Sequence, residues 1–174
     1  MNFLELVNKR KSIRSYTHEP VDRALIAQCM EAVRLAPSAC NSQPWKFIAI
    51  DDPELLPEIK KATSSMGMNK WIHDVPVIIA VVMERGNFTS QLGGLIKQKD
   101  YANYDIGIAV EHFCLQAAEL DLGTCIIGWF DEKKVKKLLG TGKQIPLLIA
   151  VGHPEKTPES RPRKSMNDIF SWNK

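Results

Sequence analysis

Two short segments near the start of the chain carry residue types that could do chemistry. Arg10-Lys11-Ser12-Ile13-Arg14 groups three cations around one hydroxyl. A guanidinium presents a rigid fork that engages two phosphate oxygens at once, and Ser12 adds a neutral donor. Pro37-Ser38-Ala39-Cys40-Asn41-Ser42-Gln43-Pro44-Trp45 is a proline-bounded polar turn leading into an apolar strand. Asn41 and Gln43 carry amide donors and an acceptor that can read the edge of a polar ring. Ser38 and the flanking prolines leave this loop little entropy to lose. Near the end of the chain, Arg161-Pro162-Arg163-Lys164 supplies a second fork, stiffened by proline. A monophosphate needs about three to five such donors, each charge-assisted bond contributing about 1.5–3 kcal/mol. Together the segments point to a phosphorylated planar cofactor. Taken singly, each basic stretch also reads as a solvated patch, and the turn as an ordinary polar connection.

The elements that must position these residues follow from periodicity. Residues 2–9 read as a short helix. Asp22 is a natural N-cap for a helix through Leu35, because Leu25, Ile26, Cys29, Met30 and Val33 recur at helical spacing. Pro37 disfavours helical geometry at Ala36 and ends that run. Residues 45–50 are strand-like, 54–63 helical and 64–70 a loop. Residues 76–83 form a β-branched apolar run that predicts a strand covered on both faces. Residues 87–102 read as a loop hinged at Gly93-Gly94. Residues 105–121 form an apolar helix, with Gly123 as its left-handed C-cap. Residues 125–130 and 147–151 are short strands around a helix over 131–139, and beyond Gly152 a polar arm leaves the globule. Alternation of this kind predicts a parallel, doubly wound sheet, yet the glycine-rich phosphate loop of such folds is absent. Gly140-Thr141-Gly142-Lys143 is not a phosphate loop either, since Gln144 follows it where Ser or Thr belongs.

Composition bounds the alternatives. With 174 residues, 44% hydrophobic and 25% charged, the chain suits one folded domain spanning 1–174, with an extended arm over about 153–174. A net charge of +3 lacks the dense basic stripe of a nucleic-acid binder. The Lys133–Lys137 cluster reads as a solvated helix face. No apolar run approaches the ~20 residues of a membrane span, and charges at Glu5 and Lys9–Lys11 interrupt any leader-like core. The expectation is a cytoplasmic protein with no membrane partner. Cys29, Cys40, Cys114 and Cys125 form no Cys-x-x-Cys pair or zinc spacing. They read as small buried hydrophobes, with Cys40 set apart by its place in the turn. No metal is expected. His18, His73, His112 and His153 show no nucleophile or acid partner, so no catalytic side chain is assigned.

The ordered set of motifs resembles the nitroreductase family of small FMN-dependent oxidoreductases. The resemblance rests on Arg-x-Ser-x-Arg, Ala-Pro-Ser-x-x-Asn-x-Gln-Pro-Trp, Asp105-Ile106-Gly107, the Leu122–Trp129 segment, and the stretch from Gly152-His153-Pro154 to Arg163. It runs from about Phe3 to Lys164. It implies an α+β fold: a central, mainly antiparallel four- to five-stranded sheet flanked by helices. It also implies an intertwined homodimer whose C-terminal extension lies on the partner and supplies the fifth strand, with two FMN sites at the interface. Arg10, Ser12, Arg161 and Arg163 would hold the phosphate together with Lys11, and Arg14 would lie near the pyrimidine edge. Pro37, Ser38 and Asn41 would reach the flavin of the other subunit, with Gln43 nearby. Ile127, Gly128 and Trp129 would pass along the ring near N5. Larger relatives carry an Asn and a Lys before the second strand, and Asn69 and Lys70 stand closest to those positions. The resemblance sets aside the parallel sheet that alternation alone predicts.

The implied activity is ping-pong transfer of hydride from NADH or NADPH to a small electron-poor acceptor of nitroaromatic or quinone type, with the flavin carrying the chemistry. Alternatives on the same scaffold are a reductive dehalogenase, an enoate-type reductase, a flavin-fragmenting enzyme or a non-catalytic flavin-binding module. A phosphate-binding domain without flavin is a further alternative.

Overall fold

A computed structural model describes residues 1–97 and 99–173. The sheet has four strands: β1 (Trp45–Ile50), β2 (Val77–Met83), β3 (Gly123–Ile127) and β4 (Leu147–Gly152). Their order across the sheet is β1-β2-β4-β3, and every neighbouring pair is antiparallel. The registers set Trp45 opposite Met83, Val77 opposite Val151, and Gly123 opposite Gly152. The parallel sheet expected from alternation is thus absent. Alternation in sequence constrains which elements follow one another but not the direction in which a strand re-enters the sheet.

Side chains on β2 alternate between two cores, as a period of two requires. Ile78, Ala80 and Val82 face the core that includes Ile59 of α3 (Leu55–Thr63) and Val135 of α6 (Glu132–Leu138). Val77, Ile79 and Val81 face the core built with α2 (Arg23–Arg34) and α5 (Tyr101–Glu119). The central strand is covered on both faces, in line with its β-branched composition.

Helix starts follow local chemistry. Asn2 and Glu5 form a reciprocal capping box on α1 (Phe3–Lys9), and Asp22 accepts from Ala24 N–H at 2.8 Å to open α2. Lys134 and Lys136 of α6 lie at the surface, paired with Glu58 and Glu132 at 3.0 and 2.9 Å.

Two glycine-based expectations are overturned. Residues 87–102 are not a hinged loop: α4 (Phe88–Lys97) runs through Gly93 and Gly94, and α5 begins at Tyr101. Gln98, within the same stretch, lies outside the described residues. A Cβ on Gly94 would sit 2.8 Å from the Lys99 carbonyl, so glycine there permits the chain to fold back onto the helix. Gly123 is not a C-cap. Asp121 takes the left-handed conformation at φ 60°, and Gly123 opens β3. A Cβ there would meet Ile13 side-chain atoms at 2.8–3.0 Å, so the missing methyl admits Ile13 against the sheet. β3 accordingly spans Gly123–Ile127 rather than 125–130. Residues 64–70, expected as a loop, contain the tight turn Ser65–Gly67 and lead into a second, Lys70–Asp74. Beyond Pro154 the arm is exposed and carries one short helix, α7 (Met166–Ile169).

Candidate functional site

The basic head segment leaves α1 and docks on the edge of the sheet. Ser12 bridges to Thr124 of β3, and Ile13 N–H donates to the Thr124 carbonyl at 2.9 Å. Buried Ile13 points inward, which leaves Ser12 and Arg14 exposed on either side of it. Tyr16 locks the segment: its hydroxyl donates to the Ile13 carbonyl at 2.9 Å. Arg14 turns back to donate to the Ser12 carbonyl at 3.3 Å. Arg10 is half-buried, and its Nε is fully enclosed with no hydrogen-bond partner. Glu111 Oε1 on α5 lies 3.4 Å from that nitrogen, near enough to offset its charge but not aligned to accept its proton.

The tail is drawn to the same edge. Tyr16 bridges to Pro154, and Thr17 N–H donates to the His153 carbonyl at 2.9 Å. Ser15 Oγ donates to Glu155 at 2.5 Å, and Lys11 Nζ donates to Ser160 Oγ at 2.5 Å. Arg161 and Arg163, both exposed, follow directly. A cavity of about 250 Å3 lies at this junction, lined by Arg10, Lys11, Gly123, Thr124, Pro154 and Thr157. Head and tail, 149 residues apart at Lys11 and Ser160, meet within one chain.

The polar turn is held by α5 at a different place. Ala39 N–H donates to both carboxylate oxygens of buried Asp105, at 3.1 and 3.2 Å. Ser38 Oγ accepts from Gln43 N–H at 2.9 Å. Cys40, Asn41 and Gln43 all lie in the left-handed region, with φ of 53°, 52° and 46°. Gln43 Nε2 donates to Asn41 Oδ1 at 3.2 Å, so the two exposed amides orient one another. Pro37 is exposed beside them.

A third group forms around Asn69, itself left-handed at φ 49°. Its Nδ2 donates to the Trp129 carbonyl at 2.8 Å and to the Thr63 carbonyl at 3.2 Å. This ties Asn69 to the 127–129 segment and leaves neighbouring Lys70 exposed. Ile127 is buried, whereas Gly128 and Trp129 are exposed.

Head and tail therefore converge, as do Asn69 and Trp129, but the 38–43 turn stands apart from the head. Their anchors, Asp105 and Glu111, are six residues apart on α5, about 9 Å along the axis and a third of a turn around it. Asp105 and Thr124 lie within motif segments that assign them no role, and Glu111 lies outside every motif. Asp105 and Glu111 are the two carboxylates within the apolar run 105–118, a legible signal for both; what each one holds depends on tertiary proximity. Of the four thiols, Cys29, Cys114 and Cys125 are buried and Cys40 is exposed. Burial pushes the Cys29 and Cys114 thiols up to about 12. None of the described helices is long and apolar enough to cross a membrane.

The sequence pattern described as "Nitroreductase family" matches residues 7–153. The chain is 29% identical to an "FMN reductase [NAD(P)H]" of Bacillus subtilis, over 92% of this chain and 69% of that protein. It is 25% identical to an "Oxygen-insensitive NADPH nitroreductase" of Helicobacter acinonychis, over 97% and 95% of the two chains. The crystal structure of a nitroreductase family protein from Streptococcus pneumoniae superposes with a TM-score of 0.84 at 25% identity, covering 99% of this chain and 100% of that one.

Proposed function

The chain belongs to the nitroreductase family, and on that premise we propose that it is an FMN-dependent oxidoreductase. It passes hydride from NADH or NADPH to an electron-poor acceptor of the nitroaromatic or quinone type. The observation that carries this reading is the meeting of head and tail: Lys11 donates to Ser160 at 2.5 Å, one residue before Arg161 and three before Arg163. The donor set fits a ribityl phosphate. Arg10, whose Nε is enclosed and unpartnered, and Lys11 line the 250 Å3 cavity, and the exposed Ser12, Arg161 and Arg163 follow them closely in the head and tail segments as further donors. The names of the relatives from Bacillus subtilis and Helicobacter acinonychis agree with flavin and reduced nicotinamide as the reagents.

Bound FMN would supply the hydride chemistry. The chain's own residues bind and orient it. Arg10, Lys11, Ser12, Arg161 and Arg163 hold the phosphate. Arg14 lies toward the pyrimidine edge, where a cation stabilises negative charge on the reduced ring. Pro37, Ser38, Asn41 and Gln43, on a turn anchored separately at Asp105, would serve the flavin of a second copy. Asn69 holds the Trp129 carbonyl, fixing the segment Ile127-Gly128-Trp129 that passes the ring. The two substrates use one face in turn, which makes the kinetics ping-pong. The whole of 1–174 acts as one flavin-binding domain, with 153–174 as an arm laid on the partner of a homodimer. It works in the cytoplasm, where reduced nicotinamide is generated.

The test is the visible spectrum of the purified protein after incubation with FMN and desalting, followed by anaerobic NADH or NADPH. The expected result is a retained flavin band that bleaches with reductant and returns on adding a quinone or nitroaromatic. Parallel double-reciprocal plots are expected in steady state. Colourless protein, or retained flavin that reduced nicotinamide does not bleach, overturns the reading.

A further inference from the structure

We propose that Asn87 is a positioning residue that holds the 38–43 turn in its flavin-facing shape, an inference that rests on the flavin reading above. Cys40, Asn41 and Gln43 share a left-handed backbone, which is unfavourable for residues other than glycine and asparagine. Such backbone persists only where its surroundings over-determine it. Asp105 fixes the start of the turn through Ala39 N–H, and Ser38 fixes its end through Gln43 N–H. Asn87 acts at the centre: its Nδ2 donates to the Cys40 carbonyl at 2.8 Å.

That carbonyl shares one planar peptide unit with Asn41 N–H, which donates to the Ser38 carbonyl at 3.0 Å. Holding the oxygen therefore sets the plane that orients Asn41, the exposed amide assigned to the flavin of the second copy. Asn87 is engaged at its other polar atoms too. Its N–H donates to Ser42 Oγ at 3.2 Å, and its Oδ1 accepts from Ser90 N–H at 2.9 Å, capping α4. Ser90 Oγ adds a contact to Ser42 Oγ at 3.2 Å. This polar junction joins α4 to the turn beside a cavity of about 750 Å3 bounded by Pro44, Leu92, Leu95 and Tyr101. Along α4 itself Leu92, Leu95 and Ile96 are exposed, while Asn87 and Ser90 tie the start of the helix to the turn.

Asn87 has two separable duties, capping α4 and holding Cys40. Serine caps helices about as well as asparagine but is too short to reproduce the Nδ2 contact. The experiment compares wild type, N87S and N87A in the full-length protein. One readout is FMN affinity and the position of the long-wavelength flavin band. The second needs no flavin: the rate at which the exposed Cys40 thiol reacts with dithiobisnitrobenzoate, the other three cysteines being buried. Both variants are expected to weaken FMN about fivefold or more, as for one lost hydrogen bond, to shift the flavin band and to change the Cys40 rate. Far-UV circular dichroism should remain that of wild type. If N87A does not fold, N87D replaces it, keeping the cap and losing the donor, with the same expectation. N87S matching wild type in both readouts overturns the inference and leaves Asn87 a helix cap. A changed Cys40 rate with unchanged FMN binding confines Asn87 to shaping the turn and overturns its flavin role. A wild type that binds no FMN, by contrast, sinks the flavin reading itself.

Discussion

At the scale of single residues, the proposed phosphate site centres on Arg10. Its Nε is enclosed and unpartnered, a costly state for a charged donor unless a nearby anion offsets it. Glu111 at 3.4 Å supplies the charge without the hydrogen bond. The outer nitrogens of Arg10 can then engage a phosphate together with the forks of the tail. Replacing Arg10 and Arg163 together by alanine is expected to weaken FMN by at least about a hundredfold. Far-UV circular dichroism should remain that of the folded chain, with any fall in the urea midpoint traced to Arg10 and its Glu111 pairing, since Arg163 is exposed. Equilibrium dialysis with FMN measures the first, and full flavin retention by the double variant would count against the phosphate assignment. Both arginines were legible in the sequence, Arg10 in the basic segment around Ser12 and Arg163 in the proline-stiffened fork of the tail. The Glu111 contact was not, because it joins residues 101 positions apart that only the docking of the head beside α5 brings together.

At the scale of elements, the sheet edge that receives the head depends on an absent methyl. Ile13 packs into the space above Gly123, where a Cβ would lie 2.8–3.0 Å from three of its atoms. Gly123→Ala must displace Ile13 or bend β3, and overpacking of this kind costs about 1–3 kcal/mol. Urea denaturation checks the stability loss, and the same variant should bind FMN more weakly, because Ser12 and Arg14 flank Ile13. A second link closes α6 onto the start of β4: Glu132 accepts from Ile145 N–H at 2.9 Å and pairs with Lys136 at 2.9 Å. That backbone hydrogen bond first, and Lys136 second, hold the Glu132 carboxyl below its ordinary range. A depressed carboxylate stabilises the fold above the ordinary glutamate pKa, about 4.3, and the contribution is lost as pH falls through the lower folded value. Glu132→Gln keeps the acceptor and removes the titration. Its melting temperature should decline less steeply than wild type below about pH 4.5, with a difference of at most about 1 kcal/mol because the group is partly solvated. Much of this layer could be read in advance: the β-branched run of β2 announced two covered faces, and Asp22 announced α2. Strand direction could not, since antiparallel order follows from how helices cross the sheet. Gly94 and Gly123 misled for one reason. Glycine marks either a special φ or a close approach, and only the neighbouring atoms distinguish them.

At the scale of the molecule, the functional proposal calls for a second copy. Asp105 anchors the polar turn and Glu111 sits beside the basic head, and the two lie a third of a turn apart around the helix. In the proposed dimer a two-fold axis sets the turn of one protomer against the head of the other, as isologous pairing requires. The apolar surface agrees. Met166, Ile169, Phe170 and Trp172 of the arm are 67%, 65%, 49% and 82% exposed. Tyr104 and Ile108 on α5 are exposed as well. Apolar residues gathered on an unsupported arm have nothing in their own chain to bury them, which is the condition that marks an interaction surface. Truncation after Glu155 keeps the contacts of Ser15 and Thr17 with the start of the arm but removes Ser160, both tail arginines and the apolar segment. The truncated chain is expected to fold, to elute as a single chain and to retain no FMN. The full-length protein should elute as a dimer, and its melting temperature should rise with concentration between about 1 and 100 µM, as mass action requires of linked folding and association. Sedimentation velocity and differential scanning fluorimetry supply both measurements. A full-length protein that sediments as one chain yet binds FMN tightly would show that the turn is not needed from a partner, and the site would have to be completed within a single chain.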